Sequence, residues 1–253
     1  MIAGIDVGSR SIELVCRRDG AVVHTARRPT TFDPRGQIRS LVAGLPLERV
    51  TATGYGRTLV AQTLAEDNGP PVETITEIKA YALGVRDLSP EARTVLDIGG
   101  QDTKAISLTG DGRVLKFEMN DRCAAGTGKF LEHVANVFQI SIEEFGAYAL
   151  QGDEALTINS MCTVFAETEA TSLMAQGHRP ENIALGLHAS IVKRTMNMLG
   201  RVGLTHPVVF AGGVARNPCV VELVSRALGR EPVVPDNPDM VGALGAALYG
   251  SVQ

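Results

Sequence analysis

The sequence predicts an α/β protein with two similar lobes that face a cleft, and three features lead to this prediction. Residues 4–15 ("GIDVGSRSIELV") and 96–107 ("LDIGGQDTKAIS") share the order strand, Asp, apolar residue, Gly, small residue, second strand. Placing Asp6 on Asp97 gives an offset of 91 residues (97 − 6). Residues 208–217 ("VVFAGGVARN") add a buried strand, two glycines and a helix start. We therefore expect a duplicated unit of a β-meander followed by helices.

The N-terminal elements follow from periodicity and turn residues. Short apolar or alternating runs predict strands over "IAGID", "SIELVCRR" and "AVVHTARR", with an "RRDG" turn before the last. Asp33 is a suitable N-cap and Pro34 a suitable first residue for a helix over "FDPRGQIRSLVAGL". A strand over "RVTATG" and a helix over "RTLVAQTLAE" complete this part.

The same order begins again with strands over "RTVLDIGGQDTKAISL" and "RVLKFEMN". Helices are expected at residues 127–138, at 141–150 and from about 181 to 202. A capping-box spacing from Ser141 to Glu144 opens the second of them. The last two helices lie in "NPCVVELVSRALG" and "DMVGALGAALYG". We expect an N-terminal lobe at residues 1–78 and a C-terminal lobe at 79–253, with the C-terminal helix 240–253 packed back on the first lobe.

Composition and charge exclude several classes of function. The 253 residues have a formal net charge of −4, with 44% hydrophobic and 21% charged residues, as in an ordinary globular protein. No basic block and no apolar run of ~18 residues occurs, so neither a nucleic-acid nor a membrane partner is expected. The chain starts on a strand-like segment without a basic leader, and we expect a cytoplasmic protein.

The two Asp-x-Gly turns predict an anion-binding cleft. Gly8, Gly99 and Gly100 lack side chains, so backbone N–H groups can approach a phosphate closely. Asp6 and Asp97 would then hold Mg²⁺ through water, because this ion loses its hydration shell reluctantly. Such turn carboxylates are expected at the surface, where they contribute little to stability. One turn alone is weak evidence, and two in register are stronger.

The third stretch supplies the remaining part of a nucleotide site. Gly212 and Gly213 allow a flat adenosine to lie against the backbone, and the helix that starts near Asn217 favours phosphates. The hydroxyl groups of Ser9 and Ser11 are further candidates in the first turn. No Walker A motif is present, so a P-loop fold is not expected.

Together the three stretches resemble the phosphate-1, phosphate-2 and adenosine motifs of the superfamily of sugar kinases, Hsp70 chaperones and actin. The resemblance spans most of the chain and implies two lobes that clamp MgATP and hinge around it. Gln101 or Asp102 would orient the attacking water, because ATP hydrolysis needs positioning more than covalent help.

The four cysteines do not match a local metal motif. None forms a C-x-x-C pair, and Cys123 and Cys162 are 39 residues apart (162 − 123). On spacing alone, separate buried thiols are the simpler interpretation. Core packing is also expected for Cys16, in a strand, and for Cys219, on the apolar face of a helix.

The flanking sequences reverse that interpretation for Cys123 and Cys162. "NDRCAAGTGKFLE", "LDIGGQDTKAI", "INSMCTVFAETEA" and "VFAGGVARN" closely resemble ATP-dependent activators of 2-hydroxyacyl-CoA dehydratases, within the BadF/BadG/BcrA/BcrD ATPase family. The resemblance implies a homodimer in which each chain gives these two cysteines to one bridging [4Fe–4S] cluster. It also implies an ATPase that takes an electron from reduced ferredoxin or flavodoxin and injects it into a dehydratase or a related acyl-CoA reductase.

One difference from the family pattern and two alternative functions stay open. Relatives commonly have a lysine soon after the first Asp-x-Gly, whereas this chain has Arg10, Ile12 and Glu13, so the basic group that meets the phosphates is not identified. A small-molecule kinase of the same fold, acting on a sugar or amino sugar, is the first alternative. A nucleotide-dependent binding module whose cysteines hold zinc or nothing is the second. Anaerobically purified protein is brown if it holds the cluster and colourless in both other cases.

Overall fold

The structure, a computed structural model, describes residues 1–160 and 162–251. The first five strands are β1 (Ile2–Val7), β2 (Ser11–Arg18), β3 (Ala21–Pro29), β4 (Arg49–Thr53) and β5 (Val72–Thr74). The other four are β6 (Thr94–Ile98), β7 (Thr103–Leu108), β8 (Val114–Asn120) and β9 (Val208–Ala211). They form one sheet in the order β3-β2-β1-β4-β5 and a second in the order β8-β7-β6-β9. This mixed architecture confirms the predicted α/β class.

The helices surround and separate these sheets. They are α1 (Pro34–Val42), α2 (Arg57–Glu66), α3 (Glu77–Leu88), α4 (Gly128–Val137), α5 (Ile142–Ala149), α6 (Thr163–Ala175), α7 (Pro180–Val202), α8 (Pro218–Leu228) and α9 (Val241–Ser251). Two predicted N-caps are confirmed, since Asp33 accepts a hydrogen bond from the Gly36 N–H and Ser141 accepts one from the Glu144 N–H. Strand β5 and helices α3 and α6 were not among the elements predicted from the sequence.

The two sheets repeat one plan, as the sequence duplication predicts. In each sheet three antiparallel strands are followed by a strand parallel to the first, β4 beside β1 and β9 beside β6. Asp6 of β1 lies opposite Glu13 of β2, and Asp97 of β6 lies opposite Lys104 of β7. Both pairs are related by the same offset of 91 residues (104 − 13). The two aspartates therefore occupy equivalent positions at the ends of equivalent strands.

Helices α3 and α9 lie between the sheets and pack on each other. Helix α9 packs on β1, β2 and β4, whereas α3 packs on β6, β7 and β8. Their approach is close, because a Cβ atom on Gly245 would lie 1.7 Å from the carbonyl oxygen of Ala80. The predicted boundary between residues 78 and 79 falls in the first turn of α3, and the division into two lobes stays a prediction. Met161 and residues 252 and 253 lie outside the described residues.

The outer faces of the sheets are covered by the remaining helices. Helices α1 and α2 pack on the first sheet, and α7 packs on β7 and β8 of the second. The larger hydrophobic core includes the buried residues of α7 together with the buried side chains of Phe130, Phe145 and Phe210. Among the described helices, none combines the length and apolar character needed to cross a membrane.

Candidate active site

The ends of β1 and β6 open into one cavity of about 480 Å³, lined from both sheets. This volume lies in the range of small-molecule sites. All the predicted site residues other than the cysteines line this cavity. They are Asp6, Gly8, Ser9, Ser11, Asp97, Gly99, Gly100, Gln101, Asp102, Gly212, Gly213 and Asn217. Their contacts with a nucleotide stay a prediction.

The two Asp-x-Gly turns are built in the same way. The N–H of Gly8 donates to the carbonyl oxygen of Ser11 at 3.0 Å, and the N–H of Gly99 donates to that of Asp102 at 2.9 Å. These two N–H groups are therefore engaged within the turns. The turns also touch, because a Cβ atom on Gly100 would lie 2.2 Å from the Cγ atom of Arg10.

The expectation that Asp6 and Asp97 lie at the surface is wrong. Asp6 is only 7% exposed and Asp97 is fully buried. A Cβ atom on Gly54 would lie 2.4 Å from Asp6 Oδ1, and one on Gly212 would lie 2.4 Å from Asp97 Oδ1. Both glycines have a positive φ, +86° and +85°, which glycine adopts at little cost. Gly54 directly follows β4, and Gly212 directly follows β9. In both sheets, therefore, a glycine just after the parallel strand packs on the aspartate carboxylate.

A buried lysine that the sequence analysis missed stands beside Asp97. The Nζ atom of Lys104 lies close to three carboxylates, Asp97 Oδ2 at 2.9 Å, Glu77 Oε2 at 2.9 Å and Asp102 Oδ2 at 2.6 Å. Burial disfavours the charge of Lys104, but the three carboxylates outweigh that cost and raise its pKa well above the ordinary value. The signal for Lys104 was present, because the 91-residue offset places it at the position equivalent to Glu13. Glu77 was not predicted as a site residue because its helix, α3, was not predicted.

Asp6 and Asp97 have the properties of metal-binding carboxylates. Burial, followed by the charges of Glu13 and Glu77, raises the pKa of Asp6 well above its usual range. Burial also raises the pKa of Asp97, and Lys104 acts in the opposite direction. The buried Oδ1 atom of Asp97 has no hydrogen-bond partner among the described residues. A divalent cation would supply that partner and favour both ionised carboxylates.

Two carboxylates supply only part of an octahedral shell, so waters or phosphate oxygens would complete the coordination of Mg²⁺. Within residues 1–160 and 162–251, no group of three or more His, Cys, Asp or Glu side chains is placed to hold a metal ion. The residues present therefore fit a metal that arrives with a nucleotide.

Asn217 lines the cavity, but its side chain also holds the start of α8. Its Oδ1 atom accepts hydrogen bonds from the N–H groups of Cys219 and Val220 at 3.0 and 3.1 Å. Its Nδ2 atom lies 3.1 Å from His188 Nε2, and His188 Nδ1 lies 2.8 Å from the carbonyl oxygen of Ala184. Because an amide nitrogen only donates, Nε2 accepts and the Nδ1–H donates. His188 is therefore neutral, and burial lowers its pKa to about 4.

The structure separates the cysteines into two buried and two exposed residues. Cys16 and Cys219 are fully buried, as predicted, and burial raises the pKa of the Cys219 thiol to about 12. Cys123 and Cys162 are exposed. Cys162 is the N-cap of α6, and Cys123 lies four residues (127 − 123) before Thr127, the N-cap of α4. The two exposed thiols thus precede two helices that pack on each other.

Helix α4 is tied to the second Asp-x-Gly turn by its backbone. The N–H of Gly128 donates to the carbonyl oxygen of Gly99, and the N–H of Lys129 donates to that of Gly100, both at 2.8 Å. These are the first two residues of α4, and Cys123 lies just before them. The second Asp-x-Gly turn and the start of the helix that follows Cys123 are therefore held together.

Side chains connect α4 to the first turn and to α6. Arg10 Nη1 lies 3.0 Å from Glu132 Oε1, which joins the first turn to α4. His133 Nε2 and Glu167 Oε2 are 2.7 Å apart and join α4 to α6. Helix α4 thus contacts both Asp-x-Gly turns and the helix that begins after Cys162.

Two repeated sheets beside one acidic cavity are typical of the actin-like ATPase fold. The chain belongs to the BadF/BadG/BcrA/BcrD ATPase family, which matches residues 3–250, and this confirms the resemblance found in the sequence. It is 41% identical over 255 residues to the activator of lactoyl-CoA dehydratase of Anaerotignum propionicum, covering 97% of this chain and 95% of that protein. It is 36% identical over 255 residues to the 2-hydroxyisocaproyl-CoA dehydratase activator of Clostridioides difficile, covering 97% and 93%.

Solved structures support the same conclusion. The activator of the 2-hydroxyisocaproyl-CoA dehydratase from Clostridium difficile with bound ADPNP has a TM-score of 0.87 at 36% identity, covering 98% of this chain and 93% of that one. A ROK family glucokinase from Streptomyces griseus has a TM-score of 0.61 at 14% identity, covering 98% of both chains, and shows the fold alone. The predicted actin/Hsp70/sugar-kinase-like fold is thereby confirmed.

His188 makes stability depend on pH. Its pKa is about 4 in the folded chain against 6.5 for a free side chain, so the unfolded chain binds more protons between these values. Stability should fall as the pH drops from 6.5 to 4, by up to about 3 kcal/mol from this group. Urea unfolding across this pH range should show that His188→Gln lacks this loss. Equal slopes in the wild type and His188→Gln would contradict a neutral, buried imidazole.

Proposed function

We propose that this chain acts as a homodimer that hydrolyses MgATP and injects a low-potential electron into a 2-hydroxyacyl-CoA dehydratase or a related acyl-CoA reductase. The observation that carries the proposal is the pair of backbone hydrogen bonds between the turn at residues 99–102 and the start of α4, just after Cys123. They connect a nucleotide turn directly to a segment that bears an exposed thiol. Two relatives with 36% and 41% identity are named as activators of such dehydratases.

Different residues of the cavity bind the metal and the nucleotide and position the water for hydrolysis. Asp6 and Asp97 hold Mg²⁺, and the glycines after β9 lie against the adenosine. Gln101 is exposed and lines the cavity, so it is free to orient the attacking water. Asp102, the other candidate, is already engaged with Lys104 at 2.6 Å. We therefore assign the positioning of water to Gln101.

Cys123 and Cys162 fit a cluster that two chains share. Both are exposed, and two thiolates from each chain of a two-fold dimer make the four that a [4Fe–4S] cluster needs. Each thiol precedes a helix whose N-terminal partial charge favours an anionic group by ~0.3–1 kcal/mol. When bound, the cluster supplies one-electron chemistry, accepting from reduced ferredoxin or flavodoxin and donating to the acceptor protein.

Nucleotide exchange supplies the free energy that moves α4. ATP differs from ADP by its γ-phosphate, and in the proposed site this group lies at the two Asp-x-Gly turns. Moving an equilibrium from 1:99 to 99:1 requires ~5.5 kcal/mol of differential binding. Because Gly128 and Lys129 are bonded to the second turn, a rearrangement there changes the position of Cys123. The paired cysteines would have no use in a sugar kinase, the alternative that shares this fold.

Removing either metal-binding charge should stop hydrolysis. Asp6→Asn and Asp97→Asn should each lower phosphate release from MgATP by roughly 100-fold or more, the loss expected when one preorganised charge is removed. Asn keeps the side-chain volume, and thermal unfolding should confirm that both variants fold. Asp87→Asn, at an exposed position of α3 outside the cavity, should keep the wild-type rate. Wild-type rates in both cavity variants would sink the assignment.

The two exposed cysteines should hold all the iron. Anaerobically prepared wild type should be brown and contain about four iron atoms per dimer, since each chain supplies two of four thiolates. Cys123→Ser and Cys162→Ser should lose the iron, the visible absorbance and the paramagnetic signal of the reduced state. Cys16→Ser and Cys219→Ser change buried thiols and should keep all three.

Colourless anaerobic protein, or iron lost from the Cys16 and Cys219 variants instead, would refute the cluster. Transfer of phosphate from ATP to a free sugar would establish the kinase alternative.

A further inference from the structure

The duplicated sheets place opposite charges at equivalent positions beside the cavity. Each sheet presents three neighbouring residues on consecutive antiparallel strands, and all of them line the cavity. They are Asp6, Glu13 and Arg27 in the first sheet, and Asp97, Lys104 and Met119 in the second. The middle strand of the first sheet therefore carries an acid where the second sheet carries a lysine. The cation of the first sheet lies one strand further out, at Arg27.

Lys104 is poorly suited to bind phosphate in this cavity. An ammonium group has three N–H donors, and the Nζ atom of Lys104 already faces three carboxylates at 2.6 to 2.9 Å. Any contact with a phosphate would have to replace one of them. The cavity therefore requires a different cation for the triphosphate.

Arg27 has the required geometry. Its Nε atom lies 3.3 Å from Glu13 Oε1, and its Nη1 atom lies 2.9 Å from Asp239 Oδ2. The side chains of both carboxylates are only 6% exposed, whereas that of Arg27 is 45% exposed. Asp239 is itself fixed by Arg216, whose Nη2 atom lies 2.7 Å from its Oδ1 atom. A guanidinium group has five N–H donors, so Arg27 can keep both carboxylates and still donate to a phosphate.

We propose that Arg27 is the cation that binds the β- and γ-phosphates of ATP on the side of the first sheet, and that Glu13 and Asp239 position it. The assignment rests on the proposed MgATP site. The planar guanidinium donates two parallel, charge-assisted hydrogen bonds to phosphate oxygens. Glu13, which alone would repel the triphosphate, becomes the group that holds this cation over the cavity.

The first test compares ATP with adenosine. Calorimetry should show that Arg27→Met weakens MgATP binding roughly tenfold or more, the range for a hydrogen bond to a charged group. Adenosine, which lacks phosphates, should bind within about twofold of wild type. Arg28→Met is the matched control on the same strand. Arg28 pairs with Ile12, a core residue, so it faces away from the cavity, and its variant should bind MgATP like wild type.

The second test moves the charge back to the middle strand. Glu13→Lys combined with Arg27→Met gives the first sheet the charge order of the second. This double variant should bind MgATP within about threefold of wild type. Arg27→Lys keeps a cation on β3 but cannot donate two parallel hydrogen bonds, so it should bind MgATP more tightly than Arg27→Met and more weakly than wild type. Circular dichroism checks that each variant is folded.

The outcomes separate this assignment from the proposed function. If wild type binds MgATP and Arg27→Met binds it equally well, Arg27 is not the phosphate cation and the ATP site stands. Equal losses for ATP and adenosine, or a double variant as weak as Arg27→Met, also overturn the assignment. If the wild type fails to bind MgATP, both the assignment of Arg27 and the proposed function are overturned.

Discussion

The amide groups of Gly128 and Lys129 stand in the first turn of α4, where an α-helix offers its N–H groups no internal partner. Here the carbonyl oxygens of Gly99 and Gly100 accept both hydrogen bonds at 2.8 Å, so the nucleotide turn caps the helix. Each bond contributes about 1 kcal/mol net, and a rearranged turn loses them unless α4 moves too. The proposed coupling of ATP to Cys123, and with it the proposed electron transfer, depends on this cap.

If the cavity binds MgATP as proposed, its charges make metal and nucleotide binding interdependent. Asp6 and Asp97 are buried with little room to move, and Lys104 is shared among three carboxylates. A triphosphate without a metal would face these carboxylates directly, whereas Mg²⁺ between them and the phosphates removes the repulsion. In the proposed assignment, Arg27, which lies two strands from Asp6 and is held by Glu13 and Asp239, supplies positive charge without competing for the metal. The two sheets thus contribute different charges to one site.

Local features of this chain could be predicted from the sequence, and long-range ones could not. The Asp-x-Gly turns and the Asp33 cap depend on neighbours within a few residues, and the structure contains both. The burial of Asp97 depends on Gly212, 115 residues further on (212 − 97), and no local pattern encodes that contact. Glu77 was missed because its helix, α3, was missed, and its ion pair with Lys104 forms only when the sheets assemble. The 91-residue offset shows in the sequence that Glu13 and Lys104 carry opposite charges at equivalent positions. Which residues these two side chains face depends on the register of the strands, which only the structure gives.

Hydrogen exchange at the start of α4 tests the central claim most directly. The amides of Gly128 and Lys129 should be measured in the protein with MgADP and with a non-hydrolysable MgATP analogue. If the turn at residues 99–102 controls α4, their exchange rates should differ between the two nucleotides, together with those of the loop that carries Cys123. Exchange that changes in the turn but is identical at Gly128 and Lys129 in both states would contradict the coupling of nucleotide to cysteine.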